Sequence, residues 1–357
     1  MAYTPQEARL KRNAKGDNAR MTRKRLGVRD YLRHNTVLVW VILAASLFFV
    51  LVPPVQSINA LTLGAIYALI ALGYTMVYGI VELINFAHGD VFMVGTFVAL
   101  SLLSDVIGVT GALNDPLQLA LLLFILLAVT MVLMGALGYA IERLAYRPLR
   151  LSNAPKLAPL ITAIGVSFIL QNLIQIWKGP FKTVVPQIIP MDAALMLGGV
   201  RLGVVNVIVI ALALAFMIAL QLFITRSKTG RAMRATALDP TAAALMGVNI
   251  DATISRTFII GAAIAGVGSV MFGLYLGITD FSIGFLVGLK AFTAAVVGGI
   301  GNTLGAAIGA FTIGFAEVGA TVAGFSRWKD AIVFILLVVF LTFRPNGILG
   351  SDSSDRA

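Results

Sequence analysis

Cysteine is absent from all 357 residues, which excludes disulfides, thiolate metal sites and thiol nucleophiles together. Histidine is nearly as scarce, with His34 and His88 the whole supply, too few for a histidine metal centre. Charge is thin: 12% of residues are charged and 59% hydrophobic, where a soluble domain has about 25% and 45–50%. The short motifs that carry chemistry are missing as well. No Gly-Lys dipeptide occurs, hence no Walker A loop to cradle a nucleotide phosphate. Nor is there a GxSxG, HExxH or CxxC pattern, so an intramembrane hydrolase has only His88 as a foothold, with no serine or metal partner in sequence.

Apolar runs of about 20 residues are what the chain has in abundance, the length that crosses a hydrocarbon core of about 30 Å at 1.5 Å per residue. They fall at 36–52, 57–81, 91–108, 117–141, 157–177, 204–225, 253–276, 286–300, 304–324 and 331–343. The last three are the least sharply bounded, because Gly-rich sequence joins two of them and the final one is short. The pattern predicts an all-α fold, a polytopic integral membrane helix bundle of about 8 to 10 transmembrane helices in the lipid bilayer.

The formal charge of +11 is mostly topology. Residues 1–35 hold ten Lys or Arg against three acids and show no helical or strand period. This reads as a basic cytoplasmic tail drawn to anionic headgroups rather than a nucleic-acid arm, so no nucleic acid is expected as a partner. The 36–52 run reads as an uncleaved anchor, since its basic flank is long and no clear small-x-small cleavage site follows. Alternating the spans from a cytoplasmic N-terminus places 21 basic residues inside and five outside, with Lys290 in a span, as the positive-inside rule requires.

Thirty-five glycines supply the small residues that let helices approach in lipid, where the hydrophobic effect does not press them together. Ala60, Gly64 and Ala68 form one four-residue stripe and Gly305 with Gly309 another; both predict packing seams.

Two polar interruptions break the apolar pattern. GIVELINFAHGD, residues 79–90, exposes backbone groups that lipid cannot satisfy. It is either an interfacial turn or a wet, cavity-lining break from which a helix restarts, with Asp90 as its N-cap and a positive end for a substrate carboxylate. VVGGIGNTLG, residues 296–305, is a second break in the other half, and paired breaks accompany transport sites. Lys290 and Glu317 are the ionisable candidates at membrane depth; they either pair or sit near an interface. In the polar segment 226–249, Asp239 and Pro240 read as N-cap and first helical residue and Gly247 as the stop. That predicts a short cytoplasmic helix whose Leu245 and Met246, flanked by Arg231 and Arg234, either plug a partner's groove or lie on the membrane.

The runs LTLGAIYALIALGYTMVYGI, INFAHGD, ERLAYRPLR, APLITAIGVSFILQN, GRAMRATALDPTAAALMGVN, GLKAFTAAVVGGIGNTLGA and FRPNGILG resemble, in matching order over roughly 57–350, the LivH-type permeases of branched-chain amino-acid ABC importers. The resemblance implies an inward transport subunit in the bacterial inner membrane, not an enzyme. Its implied partners are a second permease subunit, two ATP-binding subunits that hold ATP and Mg, and an extracytoplasmic substrate-binding protein; this chain itself needs no cofactor. It further implies that 226–250 is the coupling segment, through Gly230, Arg231, Arg234, Asp239, Leu245, Met246 and Gly247. Asn85, Phe86, His88 and Gly89 become pathway-lining candidates, and the outer loop 178–201 a dock for the binding protein. Residues 53–350 then form the permease domain and 351–357 a short tail. The 1–35 tail and the 36–52 helix look like additions to the family core. Relatives of the family are associated with other amino acids, urea and short amides too. A stand-alone secondary transporter is the rival reading, and it would depend on Lys290 or Glu317.

Overall fold

A computed structural model describes residues 36–81, 85–109, 111–152, 154–155, 157–190 and 193–350; the basic tail 1–35 and the tail 351–357 lie outside the described residues. The helices are α1 (Thr36–Leu51), α2 (Pro54–Val81), α3 (Ala87–Ser101), α4 (Pro116–Ile141), α5 (Arg147–Leu151), α6 (Ala158–Lys178), α7 (Val204–Arg226), α8 (Lys228–Leu238), α9 (Pro240–Leu245), α10 (Ile250–Leu276), α11 (Ile283–Gly298), α12 (Thr303–Val322) and α13 (Lys329–Phe343). Single π-helical turns, Leu102–Val106 and Glu142–Tyr146, extend α3 and α4.

The chain is an all-α, multi-pass membrane protein. Among the described residues seven helices, including all of α2, α4, α6, α7, α10 and α12, are long and apolar enough to cross a bilayer. At 16, 16 and 15 residues, α1, α11 and α13 reach only about 22–24 Å, so the count of ten spans rests on three short helices. Capping explains why the boundaries are legible. Asp115 accepts from Leu117 N–H ahead of Pro116, Asn249 caps α10 and Asn302 caps α12, while Gly277, at φ 67°, ends α10 in the left-handed conformation.

Among residues 44–350, α2 is almost wholly buried, wrapped by α10, α11 and α12, whereas few side chains of α6 and α7 are buried and their apolar faces look outward. Backbone proximity holds the centre together. A Cβ on Gly314 would stand 2.6 Å from the Ala60 carbonyl, and one on Gly64 would stand 2.9 Å from Phe311 Cα. Gly309 abuts the Ala294 carbonyl and Gly305 the Gly298 carbonyl. The two small-residue stripes are therefore the α2–α12 and α11–α12 seams. Gly64→Val is expected to cost about 1–3 kcal/mol by overpacking, seen as a lower unfolding midpoint in detergent. Gly165→Val, where a Cβ meets nothing within 4 Å, should leave that midpoint unchanged.

Four short strands occupy the loops. β1 (Thr183–Val184) pairs antiparallel with β4 (Ile278–Thr279), and β2 (Ala194–Leu197) with β3 (Val200–Gly203). The β2–β3 hairpin turns on Gly198 and Gly199, both at positive φ, as a two-residue primed turn requires.

Candidate functional site

The first interruption is a real break in a helix pair. α2 ends at Val81 and α3 begins at Ala87; Glu82 lies outside the described residues. His88 packs edge-on against Tyr74 with ring centroids 4.7 Å apart, and a Cβ on Gly73 would come within 2.7 Å of its Cε1. Gly73 is eight residues before Val81, about 12 Å along the helix, so α3 starts inside the protein rather than level with the end of α2. Gly89 makes the close approach possible from the other side: its Cα would lie 2.8 Å from a Cβ on Gly288 of α11.

The local cap differs from the sequence expectation. Asp90 is not the N-cap; it lies within the first turn of α3. Asn85 does the capping instead, its Oδ1 accepting from Ala87 N–H at 3.1 Å and its carbonyl from His88 N–H at 3.1 Å. The helix starts four residues earlier than an N-cap at Asp90 would place it, because Ala87, His88 and Gly89 already take helical conformation. The amides of Ala87 and His88, the first two of α3, are thus engaged within the protein. Tyr146, from the π turn after α4, donates to Asn85 Oδ1 at 2.9 Å, and Gln171 of α6 donates to Asp90 Oδ1 at 3.0 Å. Phe86 is half-buried, its ring tilted against Phe292 at 6.1 Å. Beside Tyr74, Tyr78, Asn85 and Phe292 only a slit of about 10 Å³ remains, room for one water. Nε2 of His88, 2% exposed, and Oδ2 of Asp90, 0% exposed, have no hydrogen-bond partner in the protein, nor has Oγ1 of Thr75, which also lines the slit.

At the second break, Gly299 and Gly301 take positive φ of 109° and 87°. FRPNGILG, far along the chain, closes it: Ile348 and Leu349 N–H donate to the carbonyls of Val297 and Gly298 at 2.8 and 2.9 Å. Asn302 Nδ2 donates to the Leu349 carbonyl at 2.9 Å, and Gly347 (φ 72°) packs directly on Gly299. The broken backbone is thereby satisfied by protein, as burial demands.

Lys290 and Glu317 pair. Their side chains, each 4% exposed, meet at 2.9 Å; Asp330 contacts Lys290 at 2.6 Å and Lys329 contacts Glu317 at 3.1 Å. Tyr67 donates to Glu317 Oε2 at 2.8 Å. Two cations and two anions make a neutral cluster joining α2, α11, α12 and α13.

At the end of the bundle where α7 finishes, 226–249 folds into two helices rather than the one expected. α8 precedes the predicted helix because Ser227 caps it, Oγ accepting from Gly230 N–H at 2.8 Å, a signal the sequence reading passed over. Gly230 lets α8 fold back on α7: a Cβ there would lie 2.6 Å from Ile224 Cα. Arg231 and Arg234 donate to the last carbonyls of α7, at Arg226 and at Ile224 and Thr225, where cations complement the helix dipole. Asp239 is the N-cap of α9, accepting from Thr241 and Ala242 N–H at 2.8 and 3.0 Å, and Gly247 (φ 84°) stops the helix. Leu245 and Met246, each 85% exposed, form its tip. Asp239→Ala is expected to cost α9 about 1 kcal/mol, read as faster hydrogen exchange at residues 241–246 with α10 unaffected. ERLAYRPLR, quoted for its resemblance but given no role, anchors this side. Arg147 and Arg150 bind Asp251 at 3.0 and 2.6 Å, and Glu142, fully buried, accepts from Ser255 at 2.7 Å.

Nearly all of the fold from α2 into α13 falls in a stretch with known relatives. Residues 56–341 match the family described as the branched-chain amino acid transport system, permease component. The chain belongs to this family of permeases. It is 43% identical over 305 residues to the high-affinity branched-chain amino acid transport system permease protein BraD of Pseudomonas aeruginosa, covering 84% of this chain and 97% of that protein. To the corresponding protein LivH of Escherichia coli K12 it is 40% identical over 313 residues, 84% of this chain and 96% of that one. The probable LivH of the archaeon Methanocaldococcus jannaschii is 29% identical over 310 residues, 82% and 91% of the two chains. No solved structure matches the permease. Both breaks, the Lys290–Glu317 cluster and α8–α9 lie within the family match, while α1 precedes it and the FRPNGILG strap follows it.

Proposed function

We propose that this permease carries branched-chain amino acids inward across a bacterial inner membrane, driven by ATP hydrolysed on other subunits. Its complex holds a second permease, two ATP-binding subunits that carry ATP and Mg, and an extracytoplasmic substrate-binding protein. The observation that carries the reading is the α8–α9 arm: a capped helix fastened to α7, with two bare apolar side chains at its tip on the positively charged side of the membrane. Leu245 and Met246 would fill a groove on an ATP-binding subunit, and Gly230, Arg231, Arg234, Asp239 and Gly247 hold them in place. Residues 53–350 form the permease domain in this reading, and 1–35 with 36–52 an addition to it.

The pathway role of Asn85, Phe86, His88 and Gly89 rests on the broken helix and on the orphaned atoms of His88 and Asp90 beside it. Buried polar atoms without partners cost about 1–3 kcal/mol each, a cost recovered if the outward- or inward-open state brings a substrate amine or water to His88 and Asp90. ATP-driven closure then shifts the balance of states through differential affinity. The neutral, paired Lys290–Glu317 cluster gives little support to a secondary transporter, which needs an ionisable group free to load and release its ion. In cells stripped of their own branched-chain uptake, the chain with its partners should restore growth on limiting leucine; equal growth without the ATP-binding subunits refutes the reading.

A further inference from the structure

Between the cytoplasmic ends of α2 and α7, helix α8 and the start of α12 lies a cavity of about 80 Å³, lined among others by Thr75, Met76, Ile80, Ile224, Met233 and Arg234. At about 10–15 Å³ per water it has room for five to eight waters, about the bulk of one small amino acid. Its walls are mostly aliphatic or thioether, with Thr75 and Thr303 the neutral polar residues among them, and no carboxylate lines it. At the mouth stands the Arg234 guanidinium. Two of its nitrogens reach the α7 carbonyls, and with five N–H donors on a guanidinium others remain for an anion. Within, Thr75 Oγ1 is buried with no hydrogen-bond partner. One cation, one unmet hydroxyl and an aliphatic chamber fit an aliphatic α-amino acid, carboxylate on Arg234, side chain among Met76, Ile80 and Met233, amine toward Thr75.

We propose that this cavity is a product site, taking a branched-chain amino acid from the cytoplasm and restraining the α8–α9 arm. It rests on the substrate class proposed above. Met233 and Arg234 belong to α8, which is joined to α9 through the single extended residue Asp239, so an occupant wedged against α2 favours the present position of the arm. A ligand that binds this state better than the next one slows the cycle in proportion to that difference.

The test is the initial rate of labelled-leucine uptake into proteoliposomes holding the full complex and ATP, with the lumen otherwise empty or loaded with unlabelled leucine, 4-methylpentanoate (leucine without its amine) or isoamylamine (leucine without its carboxylate). Internal leucine should slow uptake severalfold, 4-methylpentanoate should act about tenfold more weakly for want of the hydrogen bond to Thr75, and isoamylamine should do nothing. Met76→Trp, which fills the chamber, should import from outside at the wild-type rate and ignore internal leucine. Should that variant fail to assemble, Thr75→Val, of nearly equal volume, should raise the internal leucine needed by about tenfold. A complex that imports leucine at the same rate whatever fills the lumen overturns the product site and leaves the proposed function standing. A complex that imports no branched-chain amino acid with ATP overturns the function and the product site with it.

Discussion

Lys290→Met is expected to be the most damaging single substitution in this chain, costing about 3 kcal/mol, the lower end of the 3–5 kcal/mol range for breaking a buried ion pair. The lower end applies because Glu317 keeps Lys329, at 3.1 Å, and the Tyr67 hydroxyl. Asp330 fares worse, losing its 2.6 Å contact with Lys290 at the point where α13, with Val333 its buried residue, is fastened to the bundle. The double variant Lys290→Met/Glu317→Leu should be more stable than the sum of the single losses predicts, by about 0.5–3 kcal/mol, because it removes the charge that each single change strands. Unfolding midpoints of the four purified forms in detergent measure this directly. Additive losses would show that the two side chains do not act as a pair. The same double variant, reconstituted with its partners, should still import with ATP, whereas an ion-coupled carrier built on these residues would be dead.

The second large effect is functional. Leu245→Asp with Met246→Asp should lower ATP-driven uptake by more than about tenfold, since burying two unpaired carboxylates in a partner's groove costs far more than the 1.4 kcal/mol that a factor of ten represents. Fold stability should not change, because both side chains are bare in the isolated chain. Pull-down of an ATP-binding subunit by the tagged chain provides the second readout. Normal uptake and normal pull-down in the variant would mean that the α9 tip is a surface turn and nothing more.

Much of this fold was written in hydropathy and capping. Each expected span coincides with a helix, and every end but the C-terminal end of α3 agrees to within about four residues, because membrane helices end where Asp115–Pro116, Asn249, Gly277 or Asn302 provides a specific terminus. The small-residue stripes at Gly64 and Gly309 were legible for a similar reason, since only a close neighbour explains such spacing in lipid. Other features were not, and each involves residues distant in sequence or atoms common to every residue. The strap formed by Gly347, Ile348 and Leu349 pairs through backbone groups with Val297 and Gly298, leaving no side-chain signature. The cap of α3 fell to Asn85 instead of Asp90 because Gly89 allows the helix to start early against Gly288. Tyr146, Gln171 and Asp251 reach the site or its supports from 61, 81 and 104 residues away along the chain, beyond any local pattern. The pairing of Lys290 with Glu317 stood as one of two alternatives until the α11–α12 turn put them side by side.

Labelled-leucine uptake into proteoliposomes, comparing the full complex with this chain alone and ATP with no ATP in the lumen of the ATP-binding subunits' side, is the most direct test of the account. Uptake that requires the partners and hydrolysable ATP is the predicted result. Uptake by the chain alone, indifferent to ATP and to the Leu245 and Met246 substitutions, would contradict it and move the mechanism to Lys290 and Glu317.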